Sequence, residues 1–355
     1  MTHKGEITLQ EILSQPAVWA DTLKIFDEYK SEVSRLWDEE TYDQVIFTGC
    51  GSTYYLSLSA AAIFQKLTGC AARGLPGSEI SLFEGIYLDK GKKTLLVAVS
   101  RSGETTETVR AMQLFNEGGY GKSLAITTVP GSSVTRLADL SLVAETAQEV
   151  SIAQTRSFAS MLLLVEAVAL EVSGQDVGRL SEFPEIVSRL FAQYHDWAKA
   201  WGENQAIERF FFLGSAFNYG VASEAMLKMK EMSLSNSEAF HTLEFRHGPK
   251  SMVDEKAMVI GLVNESSAFQ EIPVLQEMSA LKGNIISIVE TADPRLEEIG
   301  PVVELNSDVP EVLRTLLFLP VMQLIAFYRA ISRGQDPDNP NNLDAVVHIP
   351  SMEKK

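Results

Sequence analysis

The sequence predicts an α/β protein built from two similar domains, each a mainly parallel sheet layered between helices. Strand-like apolar runs alternate along the chain with longer helix-like segments, the order that builds parallel sheets. Those runs are almost continuously apolar, as expected of strands covered by helices on both faces. One strand–glycine–helix pattern is also written twice, with further matched strands following each copy at a similar spacing.

Taken in order, residues 1–29 read as a helical segment that opens MTHKGEITLQEILSQPAVW. It lacks the charged-then-apolar layout of a secretory leader. QVIFTGCGSTYY (44–55) is an apolar strand, a glycine-rich turn and the start of the helix-like LSLSAAAIFQKLTG. TLLVAVS (94–100) runs into the turn SRSGETTET (100–108), and SLAITT (123–128) and LSLVAE (140–145) complete the first set. A helical stretch, 182–202, is expected to join the two domains. RFFFLGSAFNYG (209–220), followed by VASEAMLKMKEMS, repeats the first pattern. AMVIGLVN (257–264), IISIVE (285–290) and PVVEL (301–305) then answer the later strands in turn. The expected domains are 30–190 and 200–345, with a tail at 346–355.

The chain has 355 residues, 45% of them hydrophobic, enough for a substantial core. Its apolar runs are broken by polar residues short of the ~20 positions a membrane span needs. A net charge of −17 argues against nucleic acid or an anionic membrane as partner, though not against a small anion held by local N–H groups. The two cysteines, Cys50 and Cys70, form no disulfide framework, and the five histidines make no HxxxH or HExxH pattern. No metal or cofactor is expected, and a reducing cytoplasm is the default location.

In open α/β sheets, ligands bind beyond the carboxyl ends of the strands. SRSGETTET stands at such an end, where a helix start offers free N–H groups and a positive dipole end to a phosphate. Ser100, Ser102 and Thr105 add hydroxyl donors, and Ser52 and Thr53 supply a second such turn. The alternative is ordinary capping, for which Ser and Thr are the usual residues. A cap needs one hydroxyl, however, and here several cluster at neighbouring strand ends. Neither a P-loop nor the GxGxxG dinucleotide fingerprint is present.

In SEAMLKMKEMS (223–233), Glu224, Lys228 and Glu231 are spaced by four and three, hence on one helix face. Charge spacing alone favours a solvated ladder of ion pairs. A carboxylate poised over two adjacent carbons could instead shuttle a proton between them. His247, in EFRHGP, reads alone as a turn residue, although a neutral imidazole can also exchange protons near pH 7.

GCGSTYY, SRSGETTETV, EVSIAQTRSF, LKMKEMS and EFRHGPKSMVD, in that order, resemble the double sugar isomerase (SIS) domain proteins. The likeness is to the isomerase half of glucosamine-6-phosphate synthase and its stand-alone relatives, and it runs from EILSQPAVW to PDNPNNLDAVV. It implies two tandem SIS domains, each an αβα sandwich. Substrate binding would fall on Gly51, Ser52, Thr53, Ser100, Arg101, Ser102, Thr105, Ala153 and Gln154. Catalysis would fall on Glu231 as base, Lys228 beside the open-chain sugar and His247 in ring opening. His247 would reach into a partner's site, so the resemblance implies a homodimer with shared sites.

Three departures matter. Arg101 stands where the synthase has Gln. The glutamine-hydrolysing domain, with its N-terminal Cys, has no counterpart in a chain that opens MTHKGE, so making an amino sugar from glutamine is not expected. Ala345, in NNLDAVVHIP, replaces the tail lysine that forms an imine with the ketose.

The expected function is therefore a metal-free aldose–ketose isomerase, or amino-sugar deaminase, acting at C1–C2 of a hexose or hexosamine 6-phosphate. The alternatives are a fructosamine-phosphate deglycase, whose chemistry begins with the same proton abstraction, and a non-catalytic sugar-phosphate sensor. A sensor would not need Glu231 and His247 together.

Overall fold

A computed structural model describes residues 4–346. Its first five strands are β1 (Gln44–Gly49), β2 (Ala72–Pro76), β3 (Thr94–Ser100), β4 (Gly121–Thr127) and β5 (Leu140–Val143). The next five are β6 (Arg209–Gly214), β7 (Asn236–Phe240), β8 (Ala257–Leu262), β9 (Asn284–Val289) and β10 (Val302–Glu304). They form two parallel sheets with strand orders β2-β1-β3-β4-β5 and β10-β9-β8-β6-β7, the same topology traced twice. Helices lie on both faces of each, so the expected pair of SIS-type α/β sandwiches is what the chain forms.

The chain divides into two compact units. One holds the first sheet, within residues 18–149 and 156–180, together with 342–346. In it β1 and β3 are buried at every position. Ala111, Met112 and Phe115 of the helix Thr106–Gly118 join Ile46, Leu96 and Ala98 in one apolar cluster. The rings of Phe47, on β1, and Phe64, on the helix Ser52–Thr68, meet edge to face at 5.6 Å.

The other unit holds the second sheet, within residues 181–341, with 4–17 and 150–155. Its core sets Phe211, Leu213 and Val259 from the strands against Ile272, Leu275 and Met278 of the helix Ala268–Ala280. One stretch corrects the sequence reading. Glu311–Ser332 is helical for 22 residues and apolar enough, by length and composition, to cross a membrane. Its most apolar window is 89% buried within the protein, so it is here a core helix.

The edge strands β2 and β7 escape the sequence reading. Their sequences, ARGLP and NSEAF, carry few apolar residues, because an edge strand is covered on one side only. Main-chain pairing with β1 and β6 holds them.

Candidate active site

From β1 the chain moves outward to β2, then returns to place β3 on the other side of β1. The strand order reverses between β1 and β3, the switch point at which such sheets open a crevice for ligands. Because the two strands are directly paired, from Gln44↔Thr94 to Thr48↔Ala98, their turns emerge side by side.

The turn after β1 passes through Gly51 at φ 57° and ψ −125°, a conformation that favours glycine. Ser52 and Thr53 begin the helix that follows and are 4% and 3% exposed. Thr53 Oγ1 accepts the Cys50 N–H at 2.9 Å and donates to the Cys50 carbonyl at 3.0 Å, which tightens the turn. Cys50 Sγ lies 3.5 Å from Thr108 Oγ1, in the helix after β3, and so ties the two turns together. Burial pushes the Cys50 thiol pKa up, which keeps it a neutral packing group.

In the turn after β3, Ser100 Oγ accepts the Gly103 N–H at 3.1 Å and Ser102 Oγ accepts the Glu104 N–H at 3.2 Å. Part of the hydroxyl cluster thus does act as a cap. A hydroxyl that accepts a bond still has its own proton to donate, so these bonds orient Ser100 and Ser102 without using their donors. Thr105 sits at the N-cap of the next helix and makes no side-chain cap bond. Gly103, at φ 69°, has no room for a side chain, since a Cβ would lie 2.1 Å from Ser132 Oγ.

Glu104 is a residue the sequence reading passed over. Its carboxylate accepts the Ser133 N–H at 2.7 Å and the Ser133 hydroxyl at 2.6 Å, and the Gly103 carbonyl accepts the Val134 N–H at 3.1 Å. The loop after β4 therefore braces the hydroxyl turn from behind. An acidic residue inside a run of hydroxyls was the available signal, because a carboxylate turned toward an anion would repel it.

Arg101 points its guanidinium at protein groups. Nη1 lies 3.8 Å from the Glu149 carboxylate and Nη2 donates to the Ala345 carbonyl at 3.1 Å. Ala345 is thus fixed through its main chain. The remainder of the tail, 347–355, with Lys354 and Lys355, lies outside the described residues.

In the second unit, the helix Asn218–Ser233 carries Glu224, Lys228 and Glu231. Lys228 Nζ is 2.5 Å from Glu231 Oε2 and 3.3 Å from Glu224 Oε1. The shared face turns into the protein rather than toward solvent. Side-chain exposure is 0% for Glu224, 1% for Lys228 and 19% for Glu231. Burial works against the Lys228 ammonium, but the two carboxylates outweigh it and its pKa is raised. The cluster is therefore a buried ammonium between two carboxylates, of which Glu231 alone reaches the surface.

His247 is exposed, after the short turn Glu244–Arg246, and its N–H donates to the Glu244 carbonyl at 2.9 Å. Its ring has no hydrogen bond or ion pair among the described residues, so the structure does not join it to Glu231. Ala153 and Gln154 lie in the segment 150–155, Ala153 buried and Gln154 half-buried. Gln154 Oε1 is buried without a hydrogen-bond partner among the described residues. No group of three or more His, Cys, Asp or Glu placed to hold a metal occurs among the described residues.

Comparison with known proteins shows the family of the chain. The SIS domain family matches residues 41–171 and 205–300. The chain is 28% identical, over 355 residues, to the isomerizing glutamine–fructose-6-phosphate aminotransferase of Methanothermobacter thermautotrophicus, covering 98% of this chain and 59% of that protein. It therefore spans about three fifths of the length of this curated relative. Among solved structures, glucosamine-6-phosphate deaminase from Thermotoga maritima superimposes with a TM-score of 0.73 at 28% identity, over 92% of this chain and 99% of that one. Tagatose-6-phosphate ketose/aldose isomerase from Escherichia coli gives a TM-score of 0.84 at 22% identity, over 93% of each chain, a likeness of fold alone.

Proposed function

The chain belongs to the SIS domain family, and on that premise we propose that it is a phosphosugar aldose–ketose isomerase or amino-sugar-phosphate deaminase. It would act at C1–C2 of a hexose or hexosamine 6-phosphate. The observation that carries this reading is the buried Glu224–Lys228–Glu231 cluster, with only Glu231 at the surface. Burying the Glu224 and Lys228 charges is costly, and here they back a single carboxylate that solvent reaches. A base that must meet a weakly acidic C–H needs such a fixed, partly desolvated carboxylate.

The hydroxyl turn of the first sheet would hold the phosphate through the Ser100, Ser102 and Ser52 hydroxyls, with helix N–H groups beside them. Glu231 would take the C2 proton of the open-chain aldose, leaving an enediolate that carries the electrons of the broken C–H bond; the O2 hydroxyl proton passes to O1, and Glu231 returns its own proton to C1 to give the ketose. On an amino sugar, the same abstraction gives an enolamine, which takes up a proton at C1 to become an imine at C2. Water then hydrolyses that imine to the ketose and ammonia. The Lys228 ammonium, 2.5 Å from Glu231 Oε2 and 1% exposed, would act through Glu231 by keeping its carboxylate oriented. His247, exposed and with no ring partner among the described residues, would exchange the ring-opening proton in a homodimer, from the neighbouring subunit. The Ala345 side chain has no amine, so no imine to the protein forms at that position.

The glucosamine-6-phosphate deaminase likeness favours the deaminase branch, and the fold shared with a ketose/aldose isomerase is compatible with either. The experiment is a panel of hexose and hexosamine 6-phosphates assayed for ketose formation and for ammonia release. Ammonia from glucosamine 6-phosphate selects the deaminase, and ketose without ammonia selects the isomerase. A panel with neither product, on folded dimer, rejects both.

A further inference from the structure

We propose that Glu11 is a positioning residue that sets the 150–155 loop, and through it Gln154, for ligand binding. The proposal rests on the reading of Gln154 as part of the substrate site.

Glu11 lies in the helix Glu6–Leu13 and is 3% exposed. Its carboxylate accepts the Val150 N–H at 2.6 Å, the Ser151 N–H at 3.4 Å and the Ser151 hydroxyl. Three donors from two consecutive residues converge on one buried anion, which fixes the direction of the chain as it enters the loop. The helix is itself pinned, because the Asp338 carboxylate accepts both the N–H and the hydroxyl of Thr8 at 2.7 Å. At the far end of the loop, the Thr155 carbonyl accepts from Gln323 Nε2 at 3.3 Å. Gln323 Oε1 in turn accepts from Gln15 Nε2 at 2.8 Å.

Between these anchors stand Ala153, 1% exposed, and Gln154. The Ser151 hydroxyl also lies 3.2 Å from the Ala153 carbonyl, so the residue that Glu11 grips reaches the middle of the loop. The buried Gln154 Oε1 is an acceptor that lacks a donor among the described residues. A buried acceptor without a donor among the described residues, on a loop anchored at both ends, suits a ligand rich in hydroxyl donors, which a sugar is. The carboxylate meets all three loop donors with charge-assisted bonds. A glutamine at position 11 keeps one neutral oxygen for the two N–H groups and an amide N–H for the Ser151 hydroxyl, so the bonds stay but their charge assistance is lost.

The test is a double-mutant cycle read by calorimetric affinity for fructose 6-phosphate. Glu11→Gln and Gln154→Ala should each weaken binding by about three- to tenfold. The double variant should be no weaker than the worse single one, because both act through one contact. Thr8→Ala, which loosens the same helix without touching the loop, should lower the melting temperature yet combine additively with Gln154→Ala. Full additivity of Glu11→Gln with Gln154→Ala overturns the positioning role and leaves the reading of Gln154 intact. A silent Gln154→Ala overturns both.

Amide hydrogen exchange at 150–154 in the ligand-free protein serves as a readout independent of substrate. It should be faster in Glu11→Gln, and in Ser151→Ala should the first variant fold poorly. Unchanged exchange overturns the proposal.

Discussion

Replacing Lys228 by methionine tests whether the charged helix face is a buried cluster or a decorated surface. Lys228 is 1% exposed and Glu224 is 0% exposed, at 3.3 Å from it. Removing the ammonium takes from the buried Glu224 carboxylate the opposite charge 3.3 Å away, whereas Glu231, 19% exposed, is still reached by water. Breaking a buried pair on one side costs about 3–5 kcal/mol, against about 0–1 kcal/mol for an exposed pair. For a domain of this size, at about 2–4 °C per kcal/mol, that corresponds to a melting temperature lower by roughly 6–20 °C.

Replacing both partners, as Glu224→Gln with Lys228→Met, should recover at least about half of the loss, since the buried carboxylate charge is then gone as well. The assay is urea unfolding and calorimetry at pH 7 on the wild type and both variants. A loss below about 1 kcal/mol for Lys228→Met, or no recovery in the double variant, would refute the argument. The pH dependence adds a check. The folded-state pKa of Lys228 is raised above its ordinary 10.5. Its contribution to stability is therefore complete below that value and is lost as pH climbs through the folded one, a decline that Lys228→Met should lack.

Other outcomes follow from the same geometry. Ser102→Ala removes a hydroxyl donor from the turn after β3 and should raise KM for a phosphorylated sugar about tenfold, with kcat little changed; an unaltered KM removes Ser102 from the anion site. Glu231→Gln keeps the shape but not the proton acceptance, so kcat should fall by about 10²–10⁴ while the ligand still binds. Solvent-deuterium exchange at C1 and C2 should vanish with it, and normal exchange would point to a different base. Glu231→Gln and His247→Ala should each be nearly inactive alone. Their reassembled mixture should regain activity if a dimer shares its sites, and confirmed mixed dimers without activity would assign both residues to one chain's site.

Much of the candidate site was legible in the sequence because its signals are local. Hydroxyls packed into SRSGETTET after an apolar run mark a strand-to-helix turn wherever that strand ends up. The spacing of Glu224, Lys228 and Glu231 puts them on one face of any helix. Their burial was not legible, since charges at that spacing are ordinarily solvated; the packing of the helix Asn218–Ser233 into its unit turned the face inward. The grip of Glu11 on Ser151 and the reach of Arg101 to Glu149 and Ala345 join residues far apart in the chain, with no pattern linking them.

The sequence by itself determined the α/β class, the duplication and the central strands, because β1, β3, β6 and β8 must bury both faces and therefore cannot be other than apolar. It also placed the glycine and hydroxyl turns, whose conformations depend on neighbours in the chain. Tertiary structure alone decided the rest. β2 and β7 are strands only because β1 and β6 present unpaired main-chain edges to them. Glu311–Ser332 is a core helix because the unit closes around it. Lys228 stays charged in the interior because two carboxylates are folded against it, and the energy of a buried charge depends on what surrounds it in space.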